Sequence, residues 1–394
     1  PTDQSVVSNM AGLLAREACE RVLTSVPNVE QFMALLRFVR QWAKQRGIYG
    51  SCLGFCGGPA WAVCCARVCQ MHPYMELSQL AARFFRTVSR WDWRQPMTLA
   101  SQAGSAAAAN GGAGDAPASG TGMPVLLPIG PAGVSVTPHM TDTTAKITQK
   151  ELRRGFKMVQ QVELQRAGWG DVYAATRFFQ RHRHYLEFDF MASTEEVFAA
   201  WLAWSRTQMQ DLVRLFESMS SSIVTLRPLP DWIPFKDADW RCSKAVFVGL
   251  HLERNEPASG DKPQAEGTRR SFDLREPIVK FLEAISAWPE ADRYANQFEL
   301  LIRHVRHAEL EQWLEDQNKG IITNRGAPST VSSAMETAAA QAAQLGGIPA
   351  QHPGVGEPQI PARGGYPDPS TGGIPGTHLG VPAPQRLGGM QGDW

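Results

Sequence analysis

Between Glu30 and Lys44 the apolar residues Phe32, Leu35, Leu36, Val39 and Ala43 recur at i, i+3, i+4, i+7 and i+11, the stripe of one helix face. Arg37, Arg40 and Lys44 lie three and four apart and form a basic stripe on another face. The pattern breaks at Gly47 and runs through Ile48, Tyr49, Gly50 and Ser51 into a glycine turn, Gly54-Phe55-Cys56-Gly57-Gly58. A second helix opens at Pro59, where the missing N–H would have no intrahelical partner anyway. From Pro59 to Cys69 the chain is apolar nearly all round, which predicts a buried central helix. Leu77, Leu80, Ala81, Phe84 and Val88 give a third stripe, so this first region is predicted to be all-helical. Further on, Thr148 and Glu151 read as a capping box for a helix over 150–164.

Past Trp169 the period changes to two. Phe188 and Phe190 point one way and Glu187 and Asp189 the other, which predicts a half-buried strand with solvated carboxylates. Ser193 and Glu196 form a second capping box, opening a helix whose buried face carries Phe198, Trp201, Leu202, Met209, Leu212 and Phe216. Strands are predicted over 223–226 and 245–252, and helices over 276–287 and 292–315. The expected fold class is α+β and multidomain: an all-helical middle domain, then a ferredoxin-like sandwich. Residues 99–122, rich in Ala, Gly and Ser, and 318–394, rich in Gly and Pro, bury too little to offset their ordering entropy. The expected segments are therefore 1–98 helical, 99–122 a disordered insertion, 123–175 the rest of the helical domain, 176–317 the α+β domain, and 318–394 a disordered tail.

Composition narrows the chemistry. Across 394 residues the net charge is +1, so affinity for nucleic acid has to come from local basic patches. Seven cysteines, five of them between Cys52 and Cys69, argue against a secreted disulfide framework and for an intracellular, reduced protein. Cys52, Cys56, Cys64, Cys65 and Cys69 lack paired CxxC spacing and are expected to be buried thiols, not zinc ligands. No apolar run is long enough to span a bilayer, and the polar first residues predict no secretory leader. The start at Pro1 is compatible with removal of a Met or with a truncated reading frame. Asp237 and Asp239, like Glu187 and Asp189, have the spacing of a metal-binding pair, but no Gly-Ser turn precedes either, so both are expected at the solvated surface. No catalytic or metal-binding residue is assigned.

Two features point to nucleotides. A glycine turn that feeds a helix N-terminus presents free amides and a positive dipole end to phosphates, here beside Tyr49 and the Arg40/Lys44 stripe. Two basic-aromatic clusters suit single-stranded nucleic acid: Arg177, Phe178, Phe179, Arg181, Arg183 and Tyr185, then Arg303, His304, Arg306 and His307.

The string WAKQRGIYGSCLGFCGGPAWAV, Trp42 to Val63, resembles the middle domain of eukaryotic poly(A) polymerases. Arg21 to Asn28, Ser89 to Pro96, Phe178 to Leu186, Phe247 to Leu250 and His304 to Arg306 are similar to further pieces of that family, in the same order. The resemblance implies ATP held between a nucleotidyltransferase domain and the middle domain. It places Tyr49 on the nucleotide, the Gly58–Pro59 turn beside the triphosphate and Arg40 at a phosphate contact. Arg40 replaces the family's usual lysine and Pro59 its valine, and an expected asparagine contact falls at Leu14. For RNA it implies Lys44 in the middle domain, and Arg181, Arg183 and Tyr185 on an RNA-recognition-like domain. The resemblance further implies AMP transfer to RNA 3′ ends, Mg²⁺ or Mn²⁺ on aspartates expected upstream of this chain, cleavage and polyadenylation factors as partners, and a nuclear location. A non-catalytic RNA-binding scaffold, or a transferase adding a different nucleotide, stands as the alternative.

Overall fold

A computed structural model of the chain describes residues 15–99, 122–129, 133–219, 224–252, 271–272, 274–318 and 348–349. Residues 15–25 are helical, and helix α1 (Val29–Gln45) follows, capped by the Asn28 side chain, which accepts from the Gln31 N–H. α1 buries Phe32, Leu35, Val39, Trp42 and Ala43, the predicted stripe with Trp42 added and Leu36 half-buried. Helix α2 (Gly58–Met71) carries Pro59 in its first turn and is buried along most of its length, including Trp61, Cys64, Cys65 and Cys69. α3 (Leu77–Ser89) completes the layer. Trp42 anchors it, meeting Trp61 and Phe85 edge-on at 5.9 and 4.8 Å between ring centroids. Such pairs each add about 1 kcal/mol beyond their buried area.

The next helix starts earlier than expected. α4 (Asp142–Glu163) is opened by Thr141, whose hydroxyl accepts from the Thr144 N–H while Thr144 accepts from the Thr141 N–H. That pair forms the capping box, so Thr148 lies two turns inside the helix and donates its hydroxyl to the Thr144 carbonyl instead. Glu151, expected as a capping residue, is buried. The helix presses so closely on α3 that a Cβ at Gly155 would enter the Phe85 ring.

The second region is a sheet. Strand β1 (His184–Ala192) is followed by α5 (Glu195–Met219), β2 (Val224–Pro228), β3 (Cys242–Leu252), α6 (Arg275–Ser286), β4 (Phe298–Arg306) and α7 (His307–Asn318). The strands lie in the order β2-β3-β1-β4, all antiparallel, with Ile233–Pro234 adding a short pairing to β3. The fold class is thus mixed α and β, as expected. The cap of α5 is Thr194, accepting from the Val197 N–H, rather than Ser193, whose N–H is taken by the Gln297 carbonyl.

Two expectations fail here. The helix over 292–315 is instead a turn, then β4, then the start of α7. Asn296 takes a left-handed φ of 63°, and β4 then pairs with β1 from Ala192↔Phe298 to His184↔Arg306. That ladder overrides the local helical periodicity, as tertiary pairing commonly does. The half-buried strand is also corrected: β1 is covered on both faces. Phe188 and Phe190 pack on Phe281 of α6 and Trp201 of α5 at 5.6 and 6.3 Å between ring centroids. The opposite face, with Tyr185 and Met191, joins a second core containing Phe235, Phe247 and Trp313 of α7.

The described residues all fall within one compact unit, Pro1–Ala350. The insertion expected over 99–122 and the tail expected over 318–394 lie almost wholly outside the described residues, apart from Ile348–Pro349, which pairs with Ser271–Phe272.

Candidate functional site

The turn between α1 and α2 brings the sequence-predicted nucleotide residues together. Tyr49 makes an isolated bridge to Cys56, and the Gly50 N–H donates to the Cys56 carbonyl at 3.1 Å, closing the loop on itself. Gly54 is required here: its φ is +78° and a Cβ would sit 2.7 Å from the His139 carbonyl oxygen. The loop thereby holds the Tyr49 ring beside two α1 cations, with the Arg40 guanidinium carbon 5.7 Å and Lys44 Nζ 5.4 Å from its centroid. A Cβ at Gly58 would come within 3.2 Å of the Tyr49 hydroxyl, so the phenol reaches the start of α2. Arg40, Lys44 and Pro59 are exposed and Tyr49 is half-buried. No side chain caps the first turn of α2, so the positive end of its dipole is not offset by a capping side chain beside Tyr49.

The sheet region supports this turn from behind. A Cβ at Gly50 would meet Pro230, and one at Gly47 would meet Leu229 and Thr176. The Cys52 thiol donates to the Arg206 carbonyl at 3.4 Å. Asp231, in the same connection after β2, has its carboxyl raised by burial, with the nearby Lys44 charge opposing.

The first basic-aromatic cluster divides. Arg181 and Arg183 are exposed, as an RNA contact requires. Tyr185 does not lie on the surface: it is fully buried, its hydroxyl donates to the Phe178 carbonyl at 3.1 Å and accepts from the His182 N–H at 3.2 Å. Burial pushes its phenol up to about 12. A base cannot stack on this ring, so the expected stacking role is withdrawn. Its cause is the two-sided cover of β1, which turns the Tyr185 face into core.

The second cluster also divides. Arg303 donates to Glu187 at 2.8 Å and to Asp189 at 3.3 Å, so these carboxylates, expected in solvent, are buried ion-pair partners. Arg306 is exposed beside His184 and His304, which stack with Nδ1 and Nε2 2.9 Å apart. Burial, each other's presence and the Arg306 charge push His304 down to about 4; burial, Arg306 and Arg183 lower His184.

Sequence reasoning missed the junction of the two regions. Arg46, at the end of α1, is 2% exposed; its Nε donates to Glu151 of α4 at 2.8 Å and its Nη1 to the Ala174 carbonyl at 2.5 Å. Arg227 of β2 donates to Glu151 at 3.2 Å and Arg181 stands 3.8 Å from the same carboxylate. Burial alone would raise Glu151, but the Arg46 hydrogen bond and the three positive charges carry it below the usual carboxylate range. The signal was absent because the partners lie 105 and 76 positions apart.

No acidic or sulfur site for a metal emerges among the described residues. Asp237 is buried and its carboxylate accepts from the Asp239 and Trp240 N–H groups, which makes it a turn-forming residue and corrects its expected surface position. The thiols are free: burial pushes Cys52 and Cys69 up to about 11 and Cys56 up to about 12. No helix among the described residues is long and apolar enough to cross a membrane.

Residues 31–175 match the family model described as "Poly(A) polymerase central domain". The chain is 26% identical over 317 residues to the Arabidopsis thaliana protein "Nuclear poly(A) polymerase 4", covering 78% of this chain and 40% of that one. It is 26% identical over 314 residues to "Nuclear poly(A) polymerase 1" of the same plant, and 24% identical over 325 residues to the Dictyostelium discoideum "Poly(A) polymerase", covering 79% and 80% of this chain and 42% and 39% of theirs. The chain is thus similar to proteins named poly(A) polymerases, and it spans about two fifths of the length of these curated relatives.

Proposed function

We propose that this chain supplies the nucleotide-facing and RNA-holding part of a nuclear poly(A) polymerase, which extends RNA 3′ ends with AMP from ATP. The observation that carries the reading is the Tyr49 ring, set beside Arg40 and Lys44 and reaching the start of α2 at Gly58. A flat phenol edged by cations and by uncapped helix amides matches an adenine ring and its triphosphate together. The sheet, with its β-α-β-β-α-β order, serves as the ferredoxin-like RNA-binding domain, bordered by Arg181, Arg183 and Arg306. The helical region to residue 175 then forms the middle domain, and cleavage and polyadenylation factors are the expected partners.

Nucleotidyl transfer in this class uses Mg²⁺ or Mn²⁺ held by carboxylates. The described acidic pairs do not fit that task, since Glu187 and Asp189 bind Arg303 and Asp237 binds its own turn. No step of the chemistry is assigned to this chain's carboxylates. Its own residues bind and orient: Tyr49 the base, Arg40 and Pro59's helix terminus the phosphates, Arg183 the RNA backbone.

The test is Tyr49→Ala in the polymerase that contains this chain together with a nucleotidyltransferase domain. kcat/KM for ATP is expected to fall about tenfold or more, since one stacking and cation–π interaction is worth about 1–3 kcal/mol. An unchanged kcat/KM removes Tyr49 from the nucleotide site.

A further inference from the structure

At the junction of helices and sheet the arginines outnumber their partners. Arg46, Arg154, Arg181 and Arg227 act on one another and on the single carboxylate of Glu151. The other carboxylate whose charge reaches the group is Asp171, and its Oδ2 already accepts from the Gly168 N–H. Arg154 spends its Nη2 on the Asp171 carbonyl at 3.4 Å. Two donors remain: Arg46 Nη2 and Arg154 Nη1 are buried and have no hydrogen-bond partner. Arg46 as a residue is only 2% exposed. His182, packed over Gly249, adds two more buried ring nitrogens without a partner beside Arg227 and Arg181.

An excess of buried guanidinium with unused N–H groups is costly in a region of low polarity, because neither the charge nor the donors are compensated. The carbonyls that Arg46 and Arg154 reach are engaged by the other terminal nitrogen of each guanidinium. What these groups lack in common is a compact polyvalent acceptor. We propose that the Arg46–Arg154–Arg181–Arg227 cluster is a binding site for a phosphate-class oxyanion. Guanidinium forks match tetrahedral oxygens two at a time, and several forks around one ion give the geometry that carboxylates alone cannot. Arg181, the most exposed side chain of those three that meet Glu151 at 41%, forms the entrance, and Arg46 the floor. The site is separate from the Tyr49 turn, since it uses the inner end of α1 and not the Arg40/Lys44 stripe. The phosphate is either a free ion or one unit of an RNA backbone passing Arg181.

The experiment is thermal unfolding of the full chain against inorganic phosphate, with chloride matched for ionic strength, repeated for Arg154→Gln and Arg181→Gln. Arg154→Gln leaves all three arginine partners of Glu151 in place, so folding is retained. Phosphate is expected to raise Tm saturably by several degrees beyond chloride. Each variant should weaken the phosphate midpoint about tenfold, the loss of one charge-assisted donor pair. Equal effects of chloride and phosphate, or an unchanged midpoint in Arg154→Gln, overturn the proposal. Oligo(A) that competes with phosphate identifies a backbone phosphate; oligo(A) that leaves the phosphate midpoint unchanged identifies a free ion. RNA binding is measured separately with Arg183→Gln, which lies outside the cluster. Weakened RNA binding with the phosphate shift retained, and the reverse, therefore separate the two ideas.

Discussion

Lys44 and Arg46 stand two residues apart at the end of α1, and they serve opposite physical regimes. Lys44 is exposed, beside the Tyr49 ring with Arg40, where water screens its charge and leaves it available to a ligand. Arg46 is buried, tied through Nε to Glu151 and through Nη1 to the Ala174 carbonyl. Two residues along the chain thus divide an exposed cationic surface from an internal ion-pair junction. The difference teaches that the same kind of charge can be left available to solvent in one place and committed to the fold in another. Substitutions should separate the two: removing the Glu151 carboxylate at the junction should act on stability, and removing Tyr49 at the turn on nucleotide use.

The largest effect is expected at the junction. Glu151→Gln removes the carboxylate shared by Arg46, Arg181 and Arg227. Breaking a buried pair from one side typically costs about 3–5 kcal/mol, because the remaining charge stays in place uncompensated. Urea unfolding of the variant should show a midpoint lowered accordingly with an unchanged m-value. A loss below about 1 kcal/mol would mean that the arginines find other acceptors and that the junction does not depend on this carboxylate.

Acid should act next. His182 is pushed down to about 4 by burial and by the charges of Arg227, His251 and Arg181, and His304 down to about 4 by burial, His184 and Arg306. Both are neutral in the fold at pH values where an unfolded chain, with an ordinary histidine value near 6.5, binds a proton. The unfolded state takes up more protons in that window, so stability is full above about pH 6.5 and falls steadily as pH drops toward about 4. The expected loss is at most about 3 kcal/mol for each ring, less where solvent reaches it. Urea midpoints between about pH 7 and 4 measure it. His182→Asn should flatten part of the slope; a slope that persists in full assigns the acid sensitivity elsewhere.

Legibility in the sequence follows the same division. The turn was readable because its parts are local: a helical stripe, two cations at helical spacing, a glycine turn opening at Gly54, and Pro59 at a helix start all lie close together along the chain. The junction was not readable, since Arg46, Glu151 and Arg227 meet only after the helices and the sheet have packed. Glu151 even carried a misleading local signal, the Thr148-x-x-Glu151 spacing, which lost to the better cap at Thr141 and Thr144. β4 was hidden for a related reason. Leu300, Leu301, Ile302 and Val305 are spaced as well for a helix as for a strand, and what decides is the ladder offered by the distant β1. Glu187 and Asp189 alternate correctly along β1, but alternation alone could not reveal that Arg303 and α7 cover their face.

Tyr185→Phe tests that covered face at a smaller magnitude. Its hydroxyl is a donor to the Phe178 carbonyl and an acceptor from the His182 N–H. About 1–2 kcal/mol of stability should go with it, and RNA affinity should stay as it was. A fall in affinity with stability intact would return Tyr185 to the RNA path.

The smallest effect on stability, and the sharpest on function, is expected at Arg183. Its side chain is exposed, and its carbonyl takes part in the fold by accepting from the His307 N–H, so Arg183→Gln should change stability by no more than about 0.5 kcal/mol. Its place next to His184 and opposite the end of β4 sets it near Arg306, where two charges can track one strand of RNA. Taking one phosphate-neutralising charge away removes about one counterion from the release that drives binding, so the slope of log K against log salt should shallow by about 0.7–1. Arg183→Lys should restore most of that slope, because the slope counts charge and not donor geometry. An RNA salt dependence identical in the wild type and in Arg183→Gln would leave the exposed arginines just before β1 as surface charge, and the platform would have to lie on another face of the sheet region.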